Sequence, residues 1–230
     1  MRMNSCSTFA ASMWLIFLAF SDVLVNAKYL DISHEYVPGL PKYDSPTGLG
    51  TFMKDITSIL RGEEFNTRNF NLSTDCGTHV KAFIDVESLD LTILNGPVFV
   101  VEVPKDKNIT AKVMQSLNIP KGVKRVLFKT LNTQRKLMYK KEFDSSYTGF
   151  QKDGAEWLVE NTDIKLIGLD YLSVAVKPDK DDVYQVLGKY VIPVEGLNLN
   201  KAKPGEYFLH CLPLRMSEAN AAPTRCILVL

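Results

Sequence analysis

Apolar positions along the chain recur with two different periods, and the switches between them predict strands and helices in turn. Tyr29 to Ser33 is short and apolar enough for a strand, and a loop punctuated by Pro38, Gly39, Pro41, Pro46 and Gly48 follows it as far as Gly50. Phe52, Met53, Ile56, Ile59 and Leu60 fall on one helical face, and Gly62 stops the pattern, so a helix is predicted there. The run from Gly96 to Val103 is mostly β-branched or aromatic and ends at Pro104, as a buried strand would. Thr110 caps a short helix that offers Val113, Met114 and Leu117 to a core before Pro120. Val123 to Leu131 reads as the next strand, and Asp153 with Glu156 forms a capping box for a helix through Trp157 to Asn161. Leu166 to Leu169, Val191 to Val194, Tyr207 to Leu214 and Cys226 to Leu230 are further strands. Helices alternate with apolar strands in the middle while the ends are strand-rich. That order predicts an α/β fold, a single compact domain with helices packed on a mixed sheet, and argues against a bundle or a sandwich.

The first segment breaks this rhythm. Arg2 is an early cation, and Met13 to Phe20 is a continuous apolar run, too short to span a bilayer comfortably. A polar break at Ser21 and Asp22 leads to Val25-Asn26-Ala27, small or modest side chains where signal peptidase reads them. Residues 1–27 are therefore expected to be a cleaved signal peptide, and residues 28–230 a mature domain without a stable membrane anchor. The implied destination is the extracellular space or the extracellular matrix.

Charge and cysteines refine this picture. With 27 basic and 26 acidic residues the chain is near neutral, and no basic stripe or tail tracks a phosphate backbone, so nucleic acid is not an expected partner. Cys6 leaves with the leader, and the mature chain keeps Cys76, Cys211 and Cys226. In an oxidising compartment Cys211 and Cys226, nearest in sequence, could close a disulfide and leave Cys76 free or paired between chains. Three buried thiols packing as small hydrophobes is an equal alternative. Entry into the secretory route also gives meaning to two sequons, Asn71-Leu72-Ser73 and Asn108-Ile109-Thr110, of which Asn108 lies in the more polar surroundings.

The chemically suggestive stretch is Thr74-Asp75-Cys76-Gly77-Thr78-His79-Val80-Lys81. If this stretch is extended, Asp75, Gly77, His79 and Lys81 face one way, and a carboxylate, an imidazole and an ammonium project together beside a residue with no side chain. The stretch resembles the signature of the cyclase family, which includes bacterial kynurenine formamidases and secreted plant cyclase-like proteins: His-x-Gly-Thr-His-x-Asp-x-Pro-x-His. Other segments match the plant branch, among them Asp31-Ile32-Ser33-His34, Val103-Pro104-Lys105-Asp106, Gly168-Leu169-Asp170-Tyr171-Leu172-Ser173, Val194-Glu195-Gly196-Leu197 and His210-Cys211-Leu212-Pro213. The resemblance runs from about Tyr29 to Val229.

It implies a metal-dependent hydrolase of arylformamidase type, in which zinc or manganese activates water against a small amide such as N-formylkynurenine, in tryptophan catabolism to kynurenine. It also implies a homodimer. Carried over by position, the first metal ligand falls at Asp75 and the second at His79, whereas the ligand Asp is replaced by Lys81, a cation that cannot coordinate while protonated. The motif's Pro and final His have no counterpart. Glu195 matches the family's downstream catalytic glutamate, and the His before it falls at Asp182. Two readings of Lys81 follow: an internal charge that replaces the metal, or a side chain pointing into solvent. Three functions remain: a catalytically impaired protein that binds a ligand in the matrix and needs no metal, a working hydrolase with an altered carboxylate-rich shell, or a structural wall protein.

Overall fold

The computed structural model describes residues 28–188 and 190–230. The predicted leader, residues 1–27, lies outside the described residues. Among the described residues, ten strands run in the order β1 (Tyr29–Asp31), β2 (Met53–Thr57), β3 (Thr67–Phe70), β4 (His79–Lys81), β5 (Asn95–Glu102), β6 (Arg125–Lys129), β7 (Leu166–Leu169), β8 (Ile192–Glu195), β9 (Gly205–Pro213) and β10 (Ala221–Val229). Five α-helices intervene among the described residues: α1 (Leu91–Leu94), α2 (Ala111–Ser116), α3 (Leu131–Gln134), α4 (Lys152–Asn161) and α5 (Lys180–Leu187). Among the described residues, no helix is long and apolar enough to cross a membrane.

Eight strands form one mixed sheet in the order β1-β10-β4-β8-β7-β6-β5-β9, and a further β9–β10 pairing closes it into a barrel. Strands β5 to β8 are parallel to one another, as connections through helices require, and the remaining pairs are antiparallel. Alternation along each central strand divides the core in two. Leu127, Leu166 and Val194 face the barrel interior with Val80, Val98 and Leu209, whereas Val126, Phe128 and Ile167 face the helices α2, α4 and α5. Gly168 faces inward, and a β-carbon there would come 2.4 Å from Leu127 Cδ2, so the crowded interior demands the missing side chain.

Most predicted strands are present within a residue or two of their expected ends, and α2 starts at its predicted Thr110 cap, whose hydroxyl accepts from Val113 N. Two local expectations are corrected. The Phe52 to Leu60 pattern forms no α-helix: Met53–Thr57 is a strand paired with β3, and Ile59–Arg61 is a single 3-10 turn. Phe52 is buried, but Met53, Ile56, Ile59 and Leu60 are exposed and find no core to face, so the helical period had nothing to act on. The helix at Trp157 also lacks the expected capping box. Gln151 is its N-cap, and Asp153 instead accepts a hydrogen bond from Ala111 N at the start of α2.

Cys211 and Cys226 are register partners on β9 and β10, with α-carbons 4.3 Å apart, and they form a disulfide inside the barrel. Cys76 is a buried free thiol. Burial, and then the Asp75 carboxylate, push its pKa up to about 11, so it stays protonated and unreactive.

Candidate functional site at the ends of the parallel strands

The parallel strands end on one rim of the barrel, and the polar residues that follow them collect there: Thr130 after β6, Asp170 after β7 and Glu195 closing β8. The carboxyl ends of parallel strands are where α/β folds, open or closed into a barrel, ordinarily receive a ligand. Asp170 is a structural node. Its carboxylate accepts from Thr130 N at 2.9 Å and Oγ1 at 2.7 Å, and from Thr133 N at 3.0 Å and Oγ1 at 2.6 Å, with Asn132 Nδ2 at 3.4 Å. It thereby pins the first turn of α3 to the end of β7. Burial pushes its pKa up, and the hydrogen bonds from Thr133 and Thr130 pull the other way.

β4 runs antiparallel to β8 with His79 directly opposite Glu195, and both side chains are fully buried. His79 Nε2 lies 2.9 Å from Glu195 Oε2, and neither of these buried atoms has any further polar partner. The other ring nitrogen, Nδ1, is 3.0 Å from the Gly77 carbonyl. The second carboxylate oxygen, Oε1, accepts from Val174 N at 2.7 Å and from the Tyr184 hydroxyl. Burial alone would raise the Glu195 pKa, but the partnership with His79, the positive field of Lys81 and the Tyr184 hydrogen bond outweigh it and hold the carboxyl below the ordinary glutamate range. Tyr184, correspondingly, is pushed well above the usual tyrosine range by burial and by the Glu195 charge, and remains a donor.

Two lysines complete the surroundings. Lys81 Nζ stands 4.7 Å from the centre of the Tyr184 ring, and Lys180 Nζ stands 3.8 Å from that of Tyr43. Neither makes an ion pair within 4.0 Å among the described residues. Burial lowers the Lys180 pKa and the charge of Lys81 lowers it further, against the attraction of Glu195 and Asp75. Buried Tyr43 Oη also has no hydrogen-bonding partner.

The backbone that positions His79 depends on two glycines. Gly77 has φ +60°, and a β-carbon there would collide with the Tyr36 ring at 2.7 Å; Gly196 has φ +66°, and a β-carbon would lie 2.2 Å from the Gly77 carbonyl oxygen. Between them Thr78 accepts from His34 N at 2.9 Å and donates to the Gly196 carbonyl at 2.6 Å. The chain is thus turned at Asp75 to Thr78 and becomes extended only at His79. The expected alternation from Asp75 to Lys81 is therefore broken by the turn, and only His79 and Lys81 share a strand face.

Asp75 still feels the site. It is exposed and bonded to the Ser73 hydroxyl; that bond and the charges of His79 and Lys81 outweigh its partial burial and lower its pKa. Asp182 is not brought to the site: it lies exposed on α5, paired with Lys152 at 3.4 Å. The side chain that α5 does send inward is Tyr184, two residues on, with Lys180 one turn before it. The sequence reading missed both, together with Tyr43. The spacing of Lys180, Val183, Tyr184 and Leu187 on one helical face is the signal that could have found them.

A family model described as putative cyclase matches residues 30–176 of this chain. Cyclase-like protein 3 of Arabidopsis thaliana is 53% identical over 215 residues, covering 88% of this chain and 79% of the relative. The chain belongs to the cyclase family. Within that family a kynurenine formamidase of Bacillus cereus is 29% identical over 172 residues, 71% of this chain and 79% of the enzyme. A solved structure described as a predicted metal-dependent hydrolase from Bacillus stearothermophilus shares the fold with a TM-score of 0.72 at 23% identity, over 88% of this chain and 98% of the other.

Cyclase-family relationship implies a divalent metal, and the donors present do not fit one. Among the described residues, no three His, Cys, Asp or Glu side chains lie close enough together to hold an ion. His79 Nε2 faces Glu195, Asp75 is bonded to Ser73, and Lys81 occupies the motif position of a carboxylate.

Proposed function

We propose that this chain is a secreted cyclase-family protein whose hydrolytic chemistry is lost or strongly reduced, and that it acts by binding a small amide ligand in the extracellular matrix. One observation carries the reading. Lys81 lies where a metal ligand would be and lends its positive charge to Glu195, whose carboxylate is otherwise taken up by His79, Val174 N and Tyr184. A divalent cation offsets clustered carboxylates; here Lys81 and Lys180 supply positive charge against Glu195 and Asp75 from within the protein. The ammonium groups and the unpartnered Tyr43 hydroxyl suit a ligand carbonyl, with the Tyr43 and Tyr184 rings as apolar walls.

The purified protein should hold well under one zinc or manganese per chain and hydrolyse N-formylkynurenine far more slowly than an intact family member. Lys81→Asp should raise metal affinity by on the order of 10 to 100-fold, since it removes a cation and adds a ligand. It should not restore the full rate, because no final motif histidine is present to carry a proton. A stoichiometric metal in the unaltered protein, with a formamidase rate abolished by chelator, would establish the second reading. That reading, a working arylformamidase, has one observation in its favour: His79 Nε2 and Glu195 Oε2 are buried side by side without further polar partners.

Secretion is supported by the leader-like residues 1–27 and by the Cys211–Cys226 disulfide, which suits an oxidising compartment. Amino-terminal sequencing of secreted protein should start at Lys28, and glycopeptide mapping should find Asn108 occupied ahead of Asn71. An intracellular product retaining Met1, or occupancy at Asn71 with Asn108 bare, would contradict these assignments.

A further inference from the structure

Helices α2 and α4 pack side by side and are pinned together at their amino ends. Asp153 accepts from Ala111 N at 3.1 Å, and a β-carbon at Gly154 would collide with the Ile109 carbonyl, so the two backbones meet there. Between their carboxyl ends a groove of about 590 Å³ opens, walled by residues from 114 to 123 and from 157 to 164. These segments lead into the amino ends of β6 and β7, so the groove lies on the opposite rim of the barrel from Asp170 and Glu195.

Trp157 dominates the wall. Its indole packs on the helical layer of the core yet is only half-buried, and Nε1 makes no hydrogen bond among the described residues. A tryptophan left part open in a groove is an apolar platform with a donor at its edge. Gln115, Asn118 and Glu160 line the same groove; they are exposed, and their side chains likewise make no hydrogen bond among the described residues. Asn161 gives Nδ2 to the Trp157 carbonyl at 2.9 Å, which fixes the amide and leaves its Oδ1 to accept from a ligand. Charge is balanced. Asp163 is paired with Lys124 at 3.6 Å, which leaves Lys121 and Glu160 to offset each other, so the groove holds no cluster of cations for an anion and no cluster of carboxylates for a metal.

We infer that this groove is a binding site for an uncharged oligosaccharide. A sugar ring is apolar on the face of its C–H groups and is rimmed by hydroxyls that each donate and accept. The Trp157 face meets the first, and the two free amides, the Glu160 carboxylate and Asn161 Oδ1 meet the second. The volume falls in the range that holds a small ligand and suits about one or two sugar rings, with the glycan continuing into solvent. Because the groove and the His79–Glu195 rim lie at opposite ends of the barrel, the chain has room for a glycan and a small ligand together, whether or not hydrolysis is retained.

Trp157 also supplies the readout. The other tryptophan, Trp14, lies in the expected leader, so the fluorescence of the secreted chain reports Trp157 alone. Titration of that chain with cellotetraose, xylotetraose and mannotetraose should give, for at least one of them, a saturable blue shift with a Kd on the order of 0.1–1 mM. Tetragalacturonate, an anionic counterpart, should give none. Gln115→Ala combined with Asn118→Ala, both at exposed positions, should weaken binding about tenfold or more with the circular dichroism spectrum unchanged. Calorimetry should find binding abolished in Trp157→Ala and partly kept in Trp157→Phe, which leaves a ring in place. The absence of a saturable response to all three neutral tetrasaccharides at about 20 mM would overturn the inference. So would an equal or stronger response to tetragalacturonate, or an affinity that the exposed double variant leaves unchanged. None of these readouts depends on metal content or on a formamidase rate.

Discussion

Glu195→Ala is expected to lower the free energy of unfolding by about 3–5 kcal/mol, measured by urea titration at neutral pH. The residue is fully buried, and its removal would leave His79 Nε2 without its ion-pair contact and both Val174 N and the Tyr184 hydroxyl without an acceptor. Each orphaned donor keeps its full desolvation cost, which is why the loss exceeds the worth of any single bond. Glu195→Gln should cost less, since an amide oxygen can still serve Val174 and Tyr184. It should also change the response to acid. The folded-state pKa of Glu195 lies below its ordinary value, so its stabilisation is fully present above the usual glutamate range and is lost as pH falls through the folded value. The Gln variant should therefore show a flatter decline in stability below pH ~4.3 than the wild type. A loss under about 1 kcal/mol for the Ala variant would mean that the buried pair contributes little and that the site can relax around its absence.

Asp170→Ala should be comparably damaging, by about 3–5 kcal/mol, for a different reason. Its carboxylate gathers the backbone N–H groups of Thr130 and Thr133, both their hydroxyls and the Asn132 amide, so one side chain satisfies the start of α3. Without it the N–H groups and hydroxyls of Thr130 and Thr133 lose their acceptor at a buried rim, whereas Asn132 Nδ2 keeps the Thr148 carbonyl at 2.8 Å. Asp170→Asn is a sharper probe: it conserves size but turns an NH₂ toward groups that also donate, so it should recover only a minor part of the loss. Equal stability of the Asn variant and the wild type would show that the network is mainly steric. Either variant should also loosen the rim, because Tyr171 and Ser173, next along the same segment, lead into the Val174 N–H that holds Glu195.

The sequence alone determined most strands of the large sheet and the helices at Thr110 and Trp157, because burial leaves a periodic trace. Val98 to Val101 and Leu166 to Leu169 are apolar on both faces, as parallel strands between two layers must be, and the Thr110 cap marks its helix by a local hydrogen bond. Family membership was equally legible from residues 29 to 229, as were His79 and Glu195, which carry the motif in their own identities. What the tertiary structure decided is everything that depends on which residues meet across the fold. It closed the sheet on β9 and β10, thereby choosing the Cys211–Cys226 disulfide over three free thiols, because those residues are register partners. It replaced Asp182 by Tyr184 at the site, since the rotation of α5 is set by Val183 and Leu187 seeking the core, and that rotation leaves Asp182 in solvent beside Lys152. It also turned the predicted helix at Phe52 to Leu60 into a strand of the separate β2–β3 sheet: periodicity records which residues share a face, but only the surrounding structure determines whether any core lies opposite that face.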